Sequence, residues 1–150
     1  MYPQRYIPKS LSSSDKQKQM NMLNKSKQMY KKQKYFTRKK VKSYTYKPSK
    51  HVLNAKNLYG VSTVFPNEEL ANATGCPISA LRKIVSKGEG AYYSSGSRPN
   101  QTPQSWGIAR LASAITAGNA AIVDYEILKT CDPSKPAYKL ATKKYNSRKT

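Results

Sequence analysis

The sequence predicts a mainly α-helical protein: a small bundle of three to four helices with a long basic N-terminal arm and a short basic C-terminal tail. Residues 1–50 carry 15 Lys and Arg against one acid, residues 51–131 carry 7 against 5, and residues 132–150 carry 6 against 1. The apolar residues concentrate between Val52 and Leu128, largely at helical spacing. We therefore expect a Tyr/Lys-rich extended arm, then a small helical domain, then a basic tail.

The first half of the arm has a weak helical pattern. Segment 10–34 contains no Gly or Pro, and Ser14 or Asp15 could cap a helix start. Its apolar stripe is weak and consists of Met20, Leu23, Met29 and Tyr30. Because such a segment can bury little apolar surface, we expect it to be mostly disordered alone and to form a helix on a partner.

The second half of the arm, segment 31–50, interleaves aromatic and cationic residues. Lysine and arginine contact phosphates, and exposed rings stack on bases or fill clefts in proteins. The alternation around Tyr44 is also compatible with a strand added to the sheet edge of a neighbour. The predicted partner or nucleic-acid contacts in this segment are Tyr35, Arg38, Lys39, Lys40, Tyr44 and Tyr46.

Two helices are predicted at the start of the central domain. Residues 66–75 have acids in the first turn, which the helix dipole favours, and a glycine at the end. Pro77 suits the first turn of a second helix over 78–87. We expect Gly88 and Gly90 to end that helix.

This helix pair has the spacing of a helix-turn-helix. Ala71, Gly75 and Leu81 supply a small residue, a turn glycine and an apolar residue at the appropriate positions. The second helix would then present Arg82 and Lys83 to phosphates or base edges. Simple packing of a helical hairpin is the alternative, because a motif alone does not establish DNA recognition.

A third helix is predicted over 103–117, with Thr102 before the proline that begins it. Gly118 and the following asparagine should end it. Residues 120–129 are apolar and are predicted to form a fourth helix, although a strand remains open there.

The loop before the third helix carries further candidate contacts. Arg98 could hold a phosphate near the start of that helix. Alternatively, Arg98 and Gln104 could hydrogen-bond loop carbonyls and fix the loop on the core. Trp106 and Arg110 complete the set of candidate partner or nucleic-acid contacts.

Several classes of function are disfavoured. Cys76 and Cys131 are too few and too far apart for a zinc framework, and we expect two reduced thiols in an intracellular protein. With the single His51 and scattered acids, we expect no metal, no cofactor and no enzymatic activity. No apolar run approaches the roughly 20 residues of a membrane span, and nothing near the N-terminus suggests secretion.

The segment Tyr-Ser-Ser-Gly-Ser-Arg-Pro-Asn-Gln-Thr-Pro-Gln-Ser-Trp-Gly-Ile-Ala-Arg-Leu-Ala-Ser resembles a family of unknown function found in large nucleocytoplasmic DNA viruses and tailed cyanophages. The resemblance covers about residues 65–129. Ser97 stands where the family has His, while Asn100 and Asn119 stand where it has Gly. The matching positions are Gly96, Ser97, Arg98, Pro99, Asn100, Gln104, Trp106, Ala109, Arg110, Leu111, Gly118 and Asn119.

The resemblance implies a viral protein but supplies no reaction. With the charge pattern, it leads us to expect a structural virion protein, a minor capsid component that links capsomers on the inner side of a large icosahedral DNA virus shell. Its partners would be the major capsid protein and other minor capsid proteins in a hetero-oligomeric assembly, with viral DNA as a further partner. It would lie on the interior face of the capsid, and in the host cytoplasm during assembly. The alternative is a virion or regulatory DNA-binding protein that uses the basic arms and the helix-turn-helix-like pair.

Overall fold

The structure, a computed structural model, describes residues 2–45 and 47–148. Across these residues the secondary structure is helical, with no strand, which confirms the predicted helical class. The chain divides into two compact units: unit 1 comprises Met1–Lys47 and Glu89–Trp106, and unit 2 comprises Pro48–Gly88 and Gly107–Thr150. After a short 3-10 helix at Gln4–Tyr6, the helices are α1 (Ser13–Lys31), α2 (Lys50–Tyr59), α3 (Glu68–Thr74), α4 (Ile78–Ser94), α5 (Pro103–Ile115), α6 (Asn119–Val123), α7 (Tyr125–Leu128) and α8 (Pro136–Ser147).

Unit 2 is organised around an apolar core. The largest fully buried aliphatic side chains in it come from α3, α4, α5 and α7, and α8 packs against α3, α6 and α7. Residues 132–150 were expected to form a tail, but α8 buries Ala137 and Ala141 in this core. The largest core side chains are Leu70, Leu81, Ile84, Leu111, Ile115 and Leu128.

The first predicted helix pair is present, with one difference in length. Asn67 caps α3 by accepting a hydrogen bond from the Leu70 N–H, and Gly75 ends it at φ +83°. The prediction that Gly88 ends the next helix is wrong, since α4 continues to Ser94. A Cβ at Gly88 would lie 2.6 Å from the Cα of Gly107, so the glycine permits a close approach of α4 and α5.

The predicted fourth helix is divided into α6 and α7 at Asp124. The Asp124 carboxylate is buried and accepts two hydrogen bonds from Arg110, at 2.8 Å from Nε and 2.7 Å from Nη2. This bidentate pair compensates a charge that burial would otherwise make costly. The residue between the two short helices therefore ties them to α5.

The two cysteines form a disulfide, so the expectation of two reduced thiols is wrong. Cys76, just after α3, is bonded to Cys131, just after α7, with the two Cα atoms 4.3 Å apart. The Asp132 N–H also donates to the Gly75 carbonyl at 2.9 Å. The sequence gives no hint of this pairing because 55 positions separate the two residues.

Unit 1 contains most of the segment expected to be an extended arm. The structure places the 19-residue α1 there, capped by Ser12 rather than by Ser14 or Asp15. The buried residues of α1 follow helical spacing, but three of the four are polar: Asp15, Gln19, Leu23 and Ser26. A search for apolar periodicity misses such a face, which is why the sequence predicted disorder here.

Each polar residue on that face has a partner within unit 1. The Asp15 carboxylate accepts from the Ser43 N–H at 2.8 Å and from its hydroxyl at 2.6 Å. Gln19 donates its side-chain amide to the Tyr6 carbonyl at 3.1 Å. Because these partners lie in the segments flanking α1, the polar face fixes both segments to the helix.

Candidate nucleic-acid interface

Unit 1 carries a strong positive charge. It contains 15 Lys and Arg against two acids, Asp15 and Glu89. The hydroxyl and N–H of Ser43 hold the pKa of Asp15 below its ordinary value, so this carboxylate stays ionised at neutral pH. The exposed cations of unit 1 are Arg5, Lys9, Lys18, Lys25, Lys31, Lys32, Lys34, Lys39, Lys40, Lys42, Lys47 and Arg98.

Three of these cations line a groove of about 450 Å³. Arg5 lies in the 3-10 helix at Gln4–Tyr6, Lys47 is the last residue of the first segment of unit 1, and Arg98 lies in the loop before α5. No acid lines the groove, and none of the three cations makes an ion pair within the described part of the chain. Half-buried Tyr44 and the polar Gln4 and Ser10 also line it. Such a set of groups suits an anion.

Arg38, a predicted partner contact, is instead buried inside unit 1, with 7% of its surface exposed. Its guanidinium donates to the Ser26 hydroxyl at 2.9 Å, the Tyr92 carbonyl at 2.9 Å and the Ser97 hydroxyl at 2.8 Å. It also lies 3.7 Å from the centre of the Tyr92 ring. Burial lowers the pKa of Arg38, yet arginine remains protonated at neutral pH. Its donors are therefore used within the fold.

The loop after α4 holds the same segment at a second point. Asn100 accepts a hydrogen bond from the Val41 N–H at 2.7 Å and donates to the Val41 carbonyl at 3.2 Å. Its φ is +62°, a conformation in which Gly is favoured and Asn is tolerated. Ser97 is buried and engaged by Arg38, so its hydroxyl is occupied internally. Together, Ser97 and Asn100 fix the chain at 38–41.

A cluster of tyrosines lies beside this segment. Tyr30 and Tyr93 are stacked with ring centres 6.0 Å apart, and Tyr35 is tilted against both, at 6.1 Å and 5.1 Å. Tyr35 remains 68% exposed. Tyr92 meets Tyr93 edge to face, with ring centres 5.2 Å apart. Sequence analysis selected Tyr35 but missed Tyr30 and Tyr93 as its support. Tyr93 is distant along the chain, and nothing in the local pattern places the nearby Tyr30 ring against Tyr35.

The remaining predicted contacts are dispersed. Lys39 and Lys40 are exposed in unit 1, and Arg82 and Lys83 are exposed on α4 in unit 2. Tyr46 lies outside the described residues.

Two further predicted contacts have structural partners. Trp106 packs edge to face on Tyr6, with ring centres 6.0 Å apart. Arg110 is paired with Asp124 in unit 2. Both side chains thus stabilise their own unit.

The helix-turn-helix spacing corresponds to real packing in unit 2. Leu81 is fully buried, Ala71 packs against the core, and Gly75 has a positive φ. A Cβ at Gly75 would lie 2.3 Å from the Lys135 Cβ, so the glycine also admits the segment before α8. These requirements explain the three residues through packing alone, and recognition of DNA by α4 stays a prediction.

The described residues contain no group of three His, Cys, Asp or Glu side chains that could hold a metal ion. Within the same residues, no helix is both long enough and apolar enough to span a membrane.

Fold and site together define a helical protein whose more basic unit carries a groove lined by three cations and a cluster of tyrosines. Residues 3–135 match the family described as "Family of unknown function (DUF5824)", and the chain belongs to this family. No curated protein matches the sequence. No solved structure matches it either.

Proposed function

We propose that this protein is a non-catalytic nucleic-acid-binding protein and that unit 1 holds the nucleic acid. The observation that carries the proposal is the groove lined by Arg5, Lys47 and Arg98, with no acid among the described residues that line it. It lies in a unit with 15 basic and two acidic residues. This develops the DNA-binding alternative derived from the sequence.

The chemistry of phosphate supports this choice. Lys and Arg side chains that neutralise phosphates release condensed counterions, and this release drives binding without regard to sequence. A surface with one sign of charge also steers a polyanion toward it. In the described part of the chain, no carboxylate is paired with the three groove cations. A phosphate that binds there would therefore displace only water and counterions.

The capsid proposal remains a second candidate, but through a different surface. The N-terminal segment folds into unit 1 and α8 into unit 2, so long extended arms no longer support it. Unit 2 does expose large apolar side chains, which suits docking on another protein. These are Leu53, Leu58, Phe65 and Val123. A viral origin and a location inside a capsid rest on the sequence resemblance over about residues 65–129.

The nucleic-acid proposal is tested by binding titrations at several salt concentrations. Fluorescence anisotropy of a labelled 30-nucleotide strand and of a 30-base-pair duplex gives the affinity and its salt slope. The groove variant is Arg5→Ala/Lys47→Ala/Arg98→Ala. Its matched control is Arg82→Ala/Lys83→Ala/Lys87→Ala, which removes the same charge from exposed positions of α4 in unit 2.

We expect wild-type binding to weaken steeply with salt, and the groove variant to lower the salt slope by about 2 to 3. The control should change the slope by less than about 1. If the control variant shows the larger loss, α4 is the binding element and the helix-turn-helix interpretation replaces ours. If the wild-type protein binds neither probe at low salt, the nucleic-acid proposal fails.

The capsid candidate has its own test. Purified particles are stripped in graded salt, and the chain is quantified by mass spectrometry in the shell and genome fractions. Retention with DNA-free shells at high salt supports docking on capsid protein, because buried apolar contacts are little screened. Release with the genome supports the nucleic-acid proposal.

A further inference from the structure

Tyr35 is the feature of unit 1 that neither charge nor core packing explains. It is a large aromatic side chain that is 68% exposed, although the rings of two other tyrosines lie 6.1 Å and 5.1 Å from its own. Phe36, its neighbour, is half-buried, with the Lys25 ammonium 4.4 Å from its ring centre. The exposure of Tyr35 is therefore not shared by the neighbouring aromatic residue.

The backbone that carries Tyr35 is held at three points. The Ser26 hydroxyl lies 3.4 Å from the Phe36 carbonyl and donates to it. The Arg38 N–H donates to the Tyr92 hydroxyl at 2.8 Å, in addition to the three guanidinium bonds of Arg38. Asn100 holds both polar atoms of the Val41 backbone. An exposed ring on a segment fixed in this way loses little conformational freedom when something stacks on it.

The surroundings of Tyr35 are cationic. Lys31, Lys32 and Lys34 precede it in sequence and Lys39 and Lys40 follow it, and all five are exposed. No acid occurs between Asp15 and Glu68. A partner that contacts Tyr35 therefore meets positive charge on the same stretch of chain, which favours a polyanion over an apolar protein surface.

We propose that Tyr35, supported by Tyr30 and Tyr93, is a base-stacking platform that makes unit 1 prefer single-stranded nucleic acid to duplex. The inference rests on the proposed function and adds the class of ligand. Bases in a duplex are already stacked, whereas an unpaired base offers a free face to an aromatic ring. Because every base has such a face, the platform gives strand preference without sequence preference.

The test separates bases from phosphates. One probe is a labelled 20-nucleotide oligothymidylate, and the second is an abasic strand of the same length, which keeps the phosphates but has no bases. The third probe is a 20-base-pair duplex. The variants are Tyr35→Ala, Tyr35→Leu, which keeps apolar bulk, and Tyr35→Phe, which keeps the ring.

We expect the wild-type protein to bind oligothymidylate about tenfold more tightly than the abasic strand at equal salt. Tyr35→Ala and Tyr35→Leu should remove most of that difference and leave abasic affinity unchanged, whereas Tyr35→Phe should preserve it. The emission of Trp106, the single tryptophan, checks that unit 1 stays folded, since its ring packs on Tyr6 within the same unit.

The possible failures are distinct. Equal affinity of the wild type for the thymidylate and abasic strands would falsify the platform and leave the proposed function standing. Tighter binding to duplex than to oligothymidylate overturns the strand preference in the same way. If the wild-type protein binds none of the three probes at low salt, both proposals are overturned together. A Tyr35→Leu variant that binds like the wild type shows that an apolar contact, and not ring stacking, is involved.

Discussion

The two units of this protein differ in the proportion of polar side chains that they bury. Unit 2 is packed with leucine, isoleucine and alanine from its helices and with two valines from the segment between α2 and α3. The interior of unit 1 contains a buried carboxylate, amide, guanidinium and two hydroxyls, from Asp15, Gln19, Arg38, Ser26 and Ser97. The difference teaches that a basic, low-hydropathy segment can still fold when its buried polar groups find partners in the same unit.

The two interiors also differ in how they specify structure. Apolar burial contributes about 25 cal/mol per Å² and has no direction, so a core of the unit 2 type tolerates exchanges of similar volume. A polar interior depends on hydrogen-bond geometry. Each hydrogen-bond partner that is lost leaves a buried polar group unsatisfied, and burying such a group is costly. Conservative substitutions should therefore be tolerated differently in the two units.

The largest loss of stability is expected at the buried ion pair of unit 2, Arg110–Asp124. Arg110→Ala leaves the Asp124 carboxylate buried without a cation, and we expect it to reduce the free energy of unfolding by about 4 kcal/mol. Urea unfolding followed by circular dichroism measures the loss. The double variant Arg110→Met/Asp124→Leu should recover most of it. A loss below about 1 kcal/mol in the single variant would show that the pair is unimportant.

The disulfide should give the next largest effect, and mainly in unit 2. Replacing Cys76 and Cys131 by serine should cost about 3 kcal/mol, because the unfolded chain loses a covalent constraint. Hydrogen exchange resolved by segment should show faster exchange in α3 and α8, with little change in α1. A thiol titration of the unreduced wild-type protein that finds two free thiols contradicts the prediction.

A smaller effect, about 2 kcal/mol, is expected from Arg38→Lys in unit 1. Lysine keeps the charge, but its single ammonium cannot reach Ser26, Ser97 and the Tyr92 carbonyl as the planar guanidinium does. Trp106 emission during urea unfolding reports unit 1. The matched control is Leu111→Met in unit 2, for which a change below about 1.5 kcal/mol is expected. Equal losses in the two variants would remove the contrast between the units.

The smallest effect concerns pH. Bonds from the Ser43 hydroxyl and then its N–H lower the pKa of Asp15 from its ordinary value of 3.8. A depressed carboxyl pKa adds stability that is present above the unfolded value and is lost as pH falls through the folded value. Asp15→Asn should therefore destabilise unit 1 near pH 6 and reduce the loss of stability that the wild type shows as the pH falls below about 3.8. An unchanged acid profile of Trp106 emission would contradict this role.

The sequence predicts the parts of the fold that depend on local backbone chemistry and misses the parts that depend on distant contacts. Gly75 and Pro103 mark helix ends that local backbone chemistry determines, and the structure has those ends. Gly88 led to a wrong predicted helix end. A glycine is needed there because the backbone of a distant residue, Gly107, packs against it, and not because the helix ends there. Local patterns carry no information about such a contact.

The candidate site was predicted only in part, for the same reason. Tyr35, Tyr44 and Arg98 were selected from the mixture of aromatic and cationic residues, and the structure leaves them at the surface of unit 1 or lining its groove. Arg38 has the same sequence signature as its exposed lysine neighbours. Its burial depends on Ser26 and Ser97, which are 12 and 59 positions away, so sequence alone could not separate it from them.

The disulfide has a topological consequence for the chain. Cys76 and Cys131 close a covalent ring, and the second segment of unit 1, Glu89–Trp106, is inserted in that ring. A protease that cleaves one peptide bond at the exposed Ser94–Ser95 stretch would leave two fragments joined through sulfur. The nicked molecule would migrate as one species until a reductant is added, and as two afterwards.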